Sequence, residues 1–195
     1  MKRVTVLVIG LLLSVSQAFA TPLEDVKKTV DDVVRIVADK DGKTSEKKRR
    51  QALKRTISTI FDYNEMSKRS LGRHWNELAP EEKVRFAELF AELLENSYAG
   101  KIESYNNEKI VYIKELFDGD HAEIKSKVVT AKRDEFTLDY RMIRQNNRWM
   151  VYDVVIEGVS LVSNYRSQFG RIIKSSGYAG LVKKLETKNG ELKAL

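Results

Sequence analysis

The sequence has no cysteine, only two histidines and only two prolines, and these scarcities exclude several kinds of chemistry. Without cysteine there is no disulfide framework, no thiolate metal site and no cysteine nucleophile. The histidines, His74 and His121, have no carboxylates at a spacing typical of zinc ligands, so no metal site is predicted. The chain also lacks a G-x-S-x-G nucleophile elbow and a glycine-rich phosphate loop. Neither a catalytic residue nor a cofactor is predicted from these motifs.

The length and composition are those of one folded domain. The chain has 195 residues, of which 42% are hydrophobic, and this is enough to form a real core. Its formal net charge is +7. This basic excess suits an anionic partner or a membrane surface, but it is spread along the chain and does not predict nucleic-acid binding. The densest basic run, Lys47–Arg50, is interpreted as the solvated face of a helix.

Residues 1–20 have the features of a secretory signal. Lys2 and Arg3 form a positive start, Val4–Leu13 form a short apolar run, and Ala18–Ala20 form a small-x-small cleavage site. The apolar run is about half of the ~20 residues that a membrane span needs, which favours a cleaved signal over an uncleaved anchor. The segment predicts export to the periplasm with cleavage after Ala20.

The chain that follows begins with helical periodicity. Residues 21–24 form a capping box with proline at the first helical position, and valines then recur at three-to-four spacing. Asp41-Gly42 predicts the end of this helix, and a second helix is predicted from residues 44–45. Asp62 predicts the start of a third helix. Residues 79–82 predict the start of the longest one.

The periodicity changes to two at about residue 109. Strands are predicted for residues 110–117, 122–128, 136–142 and 149–156, with short turns between them. Three short connections in a row predict an antiparallel meander with one apolar face. After Gly158 the helical stripe returns.

This order of elements predicts an α+β fold. We expect a curved antiparallel sheet of four or slightly more strands, with helices covering its apolar face, in a roll of the cystatin or ketosteroid-isomerase type. Residues 21–187 are predicted to form this single domain. Residues 188–195 are predicted to be a frayed tail.

Asp153 interrupts the apolar pattern of the last long strand. Alternation places it on the same face as Trp149, Val151 and Val155. A carboxyl group on the apolar side of the sheet could be a general base with a raised pKa, as in ketosteroid-isomerase-like enzymes. Alternatively, the carboxylate bonds to the backbone or to an arginine near the end of the strand. The residues leave both readings open.

Large apolar side chains of the third strand face the stripes of two helices. They either fill a solid core, as in a ligand-free interaction module, or form the wall of a cavity. Periodicity alone does not separate these alternatives, because the two arrangements have the same sequence pattern.

A resemblance to a known family favours the cavity. Residues 61–67, FDYNEMS, and 71–75, LGRHW, resemble the F-D-x-x-x-M-(S/A)…L-G-x-x-W signature of the MlaC/toluene-tolerance family. The resemblance continues through residues 78–86, where the family usually shows L-(T/S)-P-E-(E/Q)-x-x-x-F, and then through residues 151–161 and 164–169. It covers most of residues 24–185 in order. Ala79 departs from the usual threonine or serine.

The resemblance implies a periplasmic phospholipid-binding protein that is a carrier and not an enzyme. Proteins of this family are expected to hold acyl chains between sheet and helices, and to be monomeric. They are expected to carry lipid between an outer-membrane lipoprotein–porin complex and an inner-membrane ABC transporter with a ring of MCE domains, supporting outer-membrane lipid asymmetry.

The residues expected to line the lipid pocket are large and apolar and come from two strands and two helices. They are Phe90, Leu94, Tyr98, Phe136, Leu138, Tyr140, Met142, Trp149, Val151, Leu161, Tyr165 and Phe169. Arg141 and Arg166 are the residues expected to meet a phosphate at its mouth.

Overall fold

The computed structural model describes residues 20–39 and 45–194. The predicted signal sequence lies outside the described residues apart from Ala20, and so does the predicted helix end at Asp41-Gly42. The helices are α1 (Pro22–Ala38), α2 (Glu46–Ser58), α3 (Tyr63–Leu71), a 3-10 helix (Gly72–Glu77), α4 (Pro80–Glu103) and α5 (Leu161–Ala194). None of these helices combines the length and the apolar character needed to cross a bilayer.

Five antiparallel strands form one curved sheet in the order β1-β2-β3-β4-β5, so the predicted α+β meander is confirmed. The strands are β1 (Lys109–Asp118), β2 (His121–Val129), β3 (Glu135–Gln145), β4 (Arg148–Ile156) and the short β5 (Val159–Ser160). Each strand is hydrogen-bonded to the next along the chain, as short turns require. The extended segment around Phe61 also pairs with β4, since Val151 N–H donates to the Ile60 carbonyl at 2.7 Å.

Two β-bulges interrupt the alternation of the strands. Ile113 is an extra residue in β1, between the pairs made by Tyr112 and Lys114. Tyr152 is an extra residue in β4, because Val151 and Asp153 pair with consecutive residues of β3. A bulge moves all later side chains of its strand to the opposite face and increases the local twist.

The first bulge helps to fix α1 over the sheet. It turns Glu115 toward the start of α1, where its carboxylate accepts the Leu23 N–H at 2.9 Å. The predicted capping box is present, with Thr21 Oγ1 accepting the Glu24 N–H at 3.2 Å. Helix N-termini favour negative charge and need acceptors for their free N–H groups, so α1 is held at this end.

The buried core is divided into two clusters. The helical cluster comprises Met66, Leu71, Phe86, Phe90, Leu93, Leu94, Val162, Phe169, Leu181 and Leu185. The sheet cluster comprises Val26, Ile60, Ala122, Ile124, Tyr140, Met142, Trp149, Val151 and Val154. Phe61 packs against both clusters.

The prediction of a frayed tail over residues 188–195 is wrong for its described part. Helix α5 bends at Gly177, which has a φ of 69°, and then continues to Ala194. Asn189 is 2% exposed and its amide donates to the Leu89 carbonyl at 3.0 Å. Leu192 packs against the helical cluster. These contacts fix the end of α5 on α4.

Candidate functional site

A cavity of about 820 Å³ lies between the sheet and the helices. Met66 and Leu94 of the helical cluster line it, together with Val26, Tyr140 and Val151 of the sheet cluster. The space between the two clusters is therefore open instead of being filled by side chains. Its volume is within the range of about 300–1,000 Å³ that is typical of ligand sites.

Helices α1 and α2 form one wall of the cavity. The apolar stripe of α1 contributes Val26, Val30, Val33, Val34 and Val37. The corresponding side of α2 contributes Leu53 and Ile57, and Ile60 follows. Stripes at three-to-four spacing bury one face of a helix, and here part of that face borders the cavity.

The strands form the opposite wall. Alternation in β3 places Phe136, Leu138 and Tyr140 on the cavity side. In β4 the bulge at Tyr152 changes the register, so that Val154 pairs with Tyr140 and also lines the cavity.

Seven of the twelve predicted pocket residues line the cavity and five do not. Those that line it are Leu94, Tyr98, Phe136, Leu138, Tyr140, Val151 and Leu161. The five that lie outside the lining are Phe90, Met142, Trp149, Tyr165 and Phe169. The prediction that these five line the cavity is wrong.

The five residues pack in the two clusters instead. Phe90 and Phe169 are 5.3 Å apart between ring centroids and nearly perpendicular, and Tyr165 is 5.1 Å from Phe90. Met142 and Trp149 belong to the sheet cluster, and the exposed Phe117 ring packs on Trp149 with 6.0 Å between ring centroids. Edge-to-face aromatic pairs of this kind stabilise a solid core.

The α1 and α2 residues of the cavity are not among those that the sequence predicts. The signal that could have identified them is the stripe of α1, which consists of β-branched valines without an aromatic residue. Side chains of this size, placed opposite the large residues of a strand, leave space between the two surfaces.

One end of the cavity is charged, and we call it the mouth: Arg50, Lys54, Lys101, Glu103 and Glu108. Arg50 makes two bonds to Glu103, from Nε to Oε1 at 3.0 Å and from Nη2 to Oε2 at 3.3 Å. Their side chains are 51% and 17% exposed. The deep end differs sharply, since Met66 and Val151 are completely buried there. The cavity therefore passes from an apolar interior to a charged, solvent-exposed rim.

A second ion pair joins the same two helices beside the mouth. Lys54 Nζ lies 2.7 Å from Glu95 Oε2, so both pairs connect α2 to α4.

Burial, with a further contribution from the nearby Glu95 carboxylate, raises the pKa of Tyr63 above its ordinary value. Burial likewise raises the pKa of Tyr140. These two cavity-lining tyrosines therefore keep their protons to a higher pH than an exposed tyrosine does.

Asp153 faces away from the cavity, so the prediction that it shares a face with Val151 is wrong. The bulge at Tyr152 turns it to the opposite side of the sheet. Its carboxylate accepts the Val162 N–H at 3.0 Å and the Ser160 hydroxyl at 2.6 Å, and it pairs with Arg141 Nη1 at 3.2 Å. It thus satisfies the start of α5, as the alternative reading expected.

The arginines expected to meet phosphate do not line the cavity. Arg141 is held on the opposite face of the sheet by Asp153 and Glu123. Arg166 packs against Gly72: a Cβ atom added to Gly72 would lie only 3.0 Å from the guanidinium nitrogens of Arg166. Arg50, Lys54 and Lys101 are the cations at the mouth instead. Across residues 20–39 and 45–194, no group of three or more potential metal-ligating side chains comes together.

Comparison with known proteins identifies relatives over most of the chain. The MlaC protein family model matches residues 27–187. The intermembrane phospholipid transport system binding protein MlaC of Haemophilus influenzae is 30% identical over 121 residues, which are 60% of this chain and 56% of that protein. Toluene tolerance protein ttg2D of Pseudomonas putida is 27% identical over 128 residues, which are 65% of this chain and 60% of that protein. The chain thus spans less than two thirds of the length of these curated relatives.

A solved structure has a similar fold. It is the phospholipid-binding protein from Ralstonia solanacearum, in complex with a phospholipid. The two chains are 30% identical, with a TM-score of 0.77, and the match covers 87% of this chain and 97% of the other.

Proposed function

This chain belongs to the MlaC protein family, and from its cavity we propose that it is a phospholipid carrier that holds acyl chains between its sheet and helices. The observation that carries the proposal is an apolar space of about 820 Å³ that ends in a charged rim. A phospholipid has the same division between apolar tails and a charged headgroup. The similar Ralstonia protein was solved in complex with a phospholipid.

The energetics explain why such a carrier needs a cavity. Moving one acyl chain of about 14 carbons from a bilayer into water costs on the order of 11 kcal/mol, at about 0.8 kcal/mol per methylene. A cavity lined by Val30, Leu53, Leu138 and their neighbours replaces most of the bilayer contacts. The lipid can then cross the aqueous gap without exposing its acyl chain to water. Neither a nucleotide nor a catalytic group is required for this. We therefore propose that the protein is not an enzyme.

We place the carrier in the periplasm, after cleavage behind Ala20. There it would work as a monomer between an outer-membrane lipoprotein–porin complex and an inner-membrane ABC transporter with a ring of MCE domains. This route supports outer-membrane lipid asymmetry. The names of the Haemophilus and Pseudomonas relatives, which refer to intermembrane phospholipid transport and toluene tolerance, support this placement.

The test is native mass spectrometry of the protein purified from a cell envelope without detergent. We expect a protein–phospholipid complex, with the lipid class identified after extraction. Adding phospholipid to delipidated protein is expected to raise its melting temperature, because a ligand bound only by the folded state stabilises it. Ligand-free protein from the envelope, together with an unchanged melting temperature, would refute the carrier function.

A further inference from the structure

Helix α2 carries a large excess of positive charge. Its 13 residues include six lysines and arginines and a single acid, Glu46. The proposed function uses only the apolar side of this helix, which borders the cavity. It leaves the outward basic residues of this helix, such as Lys47 and Lys48, without a role.

The basic side of α2 is directed toward solvent. The exposed residues of α2 are Glu46, Lys47, Lys48, Arg50, Gln51, Lys54, Arg55 and Ser58. Within the part of the chain that the structure describes, Lys47, Lys48 and Arg55 form no ion pair, whereas Arg50 and Lys54 are paired with acids of α4. We call Lys47, Lys48 and Arg55 the outer triad.

The outer triad lies on the helix that forms one side of the mouth. Arg50 and Lys54 line the cavity from this helix, whereas no residue of the outer triad does. Successive turns of one helix keep the two sets within a few residues of each other. A surface that binds the outer triad is therefore adjacent to the entrance of the cavity.

We propose that the outward face of α2 docks on an anionic phospholipid surface and brings the mouth of the cavity to the headgroups. This inference rests on the proposed carrier function and adds the surface on which lipid is exchanged. Clusters of lysine and arginine on an amphipathic helix are attracted to anionic lipids over about one Debye length.

The chemistry of this face favours a lipid surface over an acidic protein. Stable protein interfaces have a desolvated centre rich in aromatic and other apolar side chains. The exposed residues of α2 include no aromatic and no large apolar side chain. This face offers long, flexible lysine and arginine side chains and no apolar centre. Such a face suits the surface of a fluid bilayer, where lipid phosphates can move to meet the cations.

The experiment is co-sedimentation of the purified protein with vesicles of phosphatidylcholine alone or mixed with phosphatidylglycerol. The test variant is Lys47→Gln/Lys48→Gln/Arg55→Gln, which leaves the cavity lining and both ion pairs of the mouth in place. The control is Lys174→Gln/Lys183→Gln/Lys184→Gln, which removes the same charge from exposed positions of α5.

We expect the parent protein to bind the anionic vesicles selectively, with an affinity that falls as salt is added. The test variant should bind them about tenfold or more weakly, and the control variant should resemble the parent. Equal binding to both kinds of vesicle, equal losses in the two variants, or unchanged binding by the test variant would each overturn the docking surface. The last result, combined with lost binding to an acidic protein of the envelope, would assign the face to that partner.

Mass spectrometry of the same preparations separates this inference from the carrier function. Phospholipid retained in a protein that does not bind vesicles would overturn only the docking surface. Vesicle binding by a protein that never retains phospholipid would overturn only the carrier function.

Discussion

Arg50 of α2 and Glu103 of α4 face each other at the mouth of the cavity and share two hydrogen bonds, at 3.0 and 3.3 Å. Helix α2 packs chiefly on α1. The pair, together with Lys54–Glu95, therefore joins two elements that border the cavity from different sides.

Breaking this pair should accelerate lipid exchange with little loss of stability. Glu103→Gln removes the charge that Arg50 meets, and a half-exposed pair contributes only about 0–1 kcal/mol to the free energy of unfolding. We expect a roughly two- to fivefold faster transfer of a fluorescent phospholipid from the protein to vesicles, the equivalent of ~0.5–1 kcal/mol. Lys28→Gln, which breaks the Lys28–Asp32 pair within α1, is the matched control. Identical transfer rates for the two variants would contradict a role of the pair at the mouth.

Filling the cavity should displace its ligand without unfolding the protein. Val34→Trp places a large ring in the open space, and the cost of overpacking is small where space is already present. We expect most of the copurified phospholipid to be lost, as measured by extraction and mass spectrometry. The same substitution at Val84, which is 58% exposed on α4, should leave the lipid content unchanged. Full retention of lipid by folded Val34→Trp would contradict the cavity as the lipid site.

Asp153→Asn should weaken the fold and leave lipid binding in place. The change removes the charge that bonds to Arg141, Ser160 and the Val162 N–H. Bonds to a buried charged group contribute about 1.5–3 kcal/mol, so urea denaturation should show a decrease of that order in the free energy of unfolding. Asp120→Asn, at an exposed pair with Arg144, should change it by less than about 0.5 kcal/mol. Unchanged stability with lost lipid would indicate a functional role for Asp153.

Stability should decrease in alkali because of buried tyrosines. Burial raises the pKa of Tyr112 to about 12 and also raises those of Tyr63 and Tyr140. Above the ordinary tyrosine pKa of about 10, the unfolded chain has lost these protons while the folded protein keeps them. The unfolded state then binds fewer protons, so the free energy of unfolding falls as pH rises.

Denaturation with urea at a series of pH values measures this slope. The contribution of Tyr140 is fully present below about pH 10, and is lost as pH rises toward its folded-state pKa. Tyr140→Phe should therefore make the decline shallower, by up to about 1.4 kcal/mol per pH unit. Parallel curves for the variant and the parent would show that Tyr140 ionises equally in both states.

Much of the fold could be predicted because local signals agree with one another. The capping box at Thr21, the start of α3 at Asp62 and the turn at Gly119 occur where the sequence predicts them. Apolar alternation in β3 likewise assigned Leu138 and Tyr140 to the side that borders the cavity. Such features depend on a few neighbouring residues, so one sequence is enough to find them.

The register of β4 could not be predicted, because its residues from Trp149 to Ile156 are mostly apolar on both faces. A bulge at Tyr152 leaves almost no mark in the residue pattern, but it moves Asp153 and Val154 to the opposite faces of the sheet. The tail was missed for a different reason. Leu181, Leu185 and Leu192 continue a helical spacing, but the charged residues between them masked it.

The choice of cavity-lining residues also depends on distances that periodicity does not contain. Phe90 and Leu94 belong to one stripe of α4, yet Phe90 packs on Phe169 and Leu94 borders the cavity. Only the separation between α4 and the sheet decides where the stripe stops contacting other side chains. That separation follows from the packing of the whole chain.

The division of the core has a mechanical consequence. Phe86, Phe90 and Phe169 pack on one another in the helical cluster, and Ile124, Met142 and Val151 pack in the sheet cluster. On the proposed carrier function, release of the lipid would remove contacts along the boundary between the two clusters, which Phe61 also joins. If the protein carries lipid as proposed, we expect both walls of the cavity to stay folded through repeated rounds of loading and release.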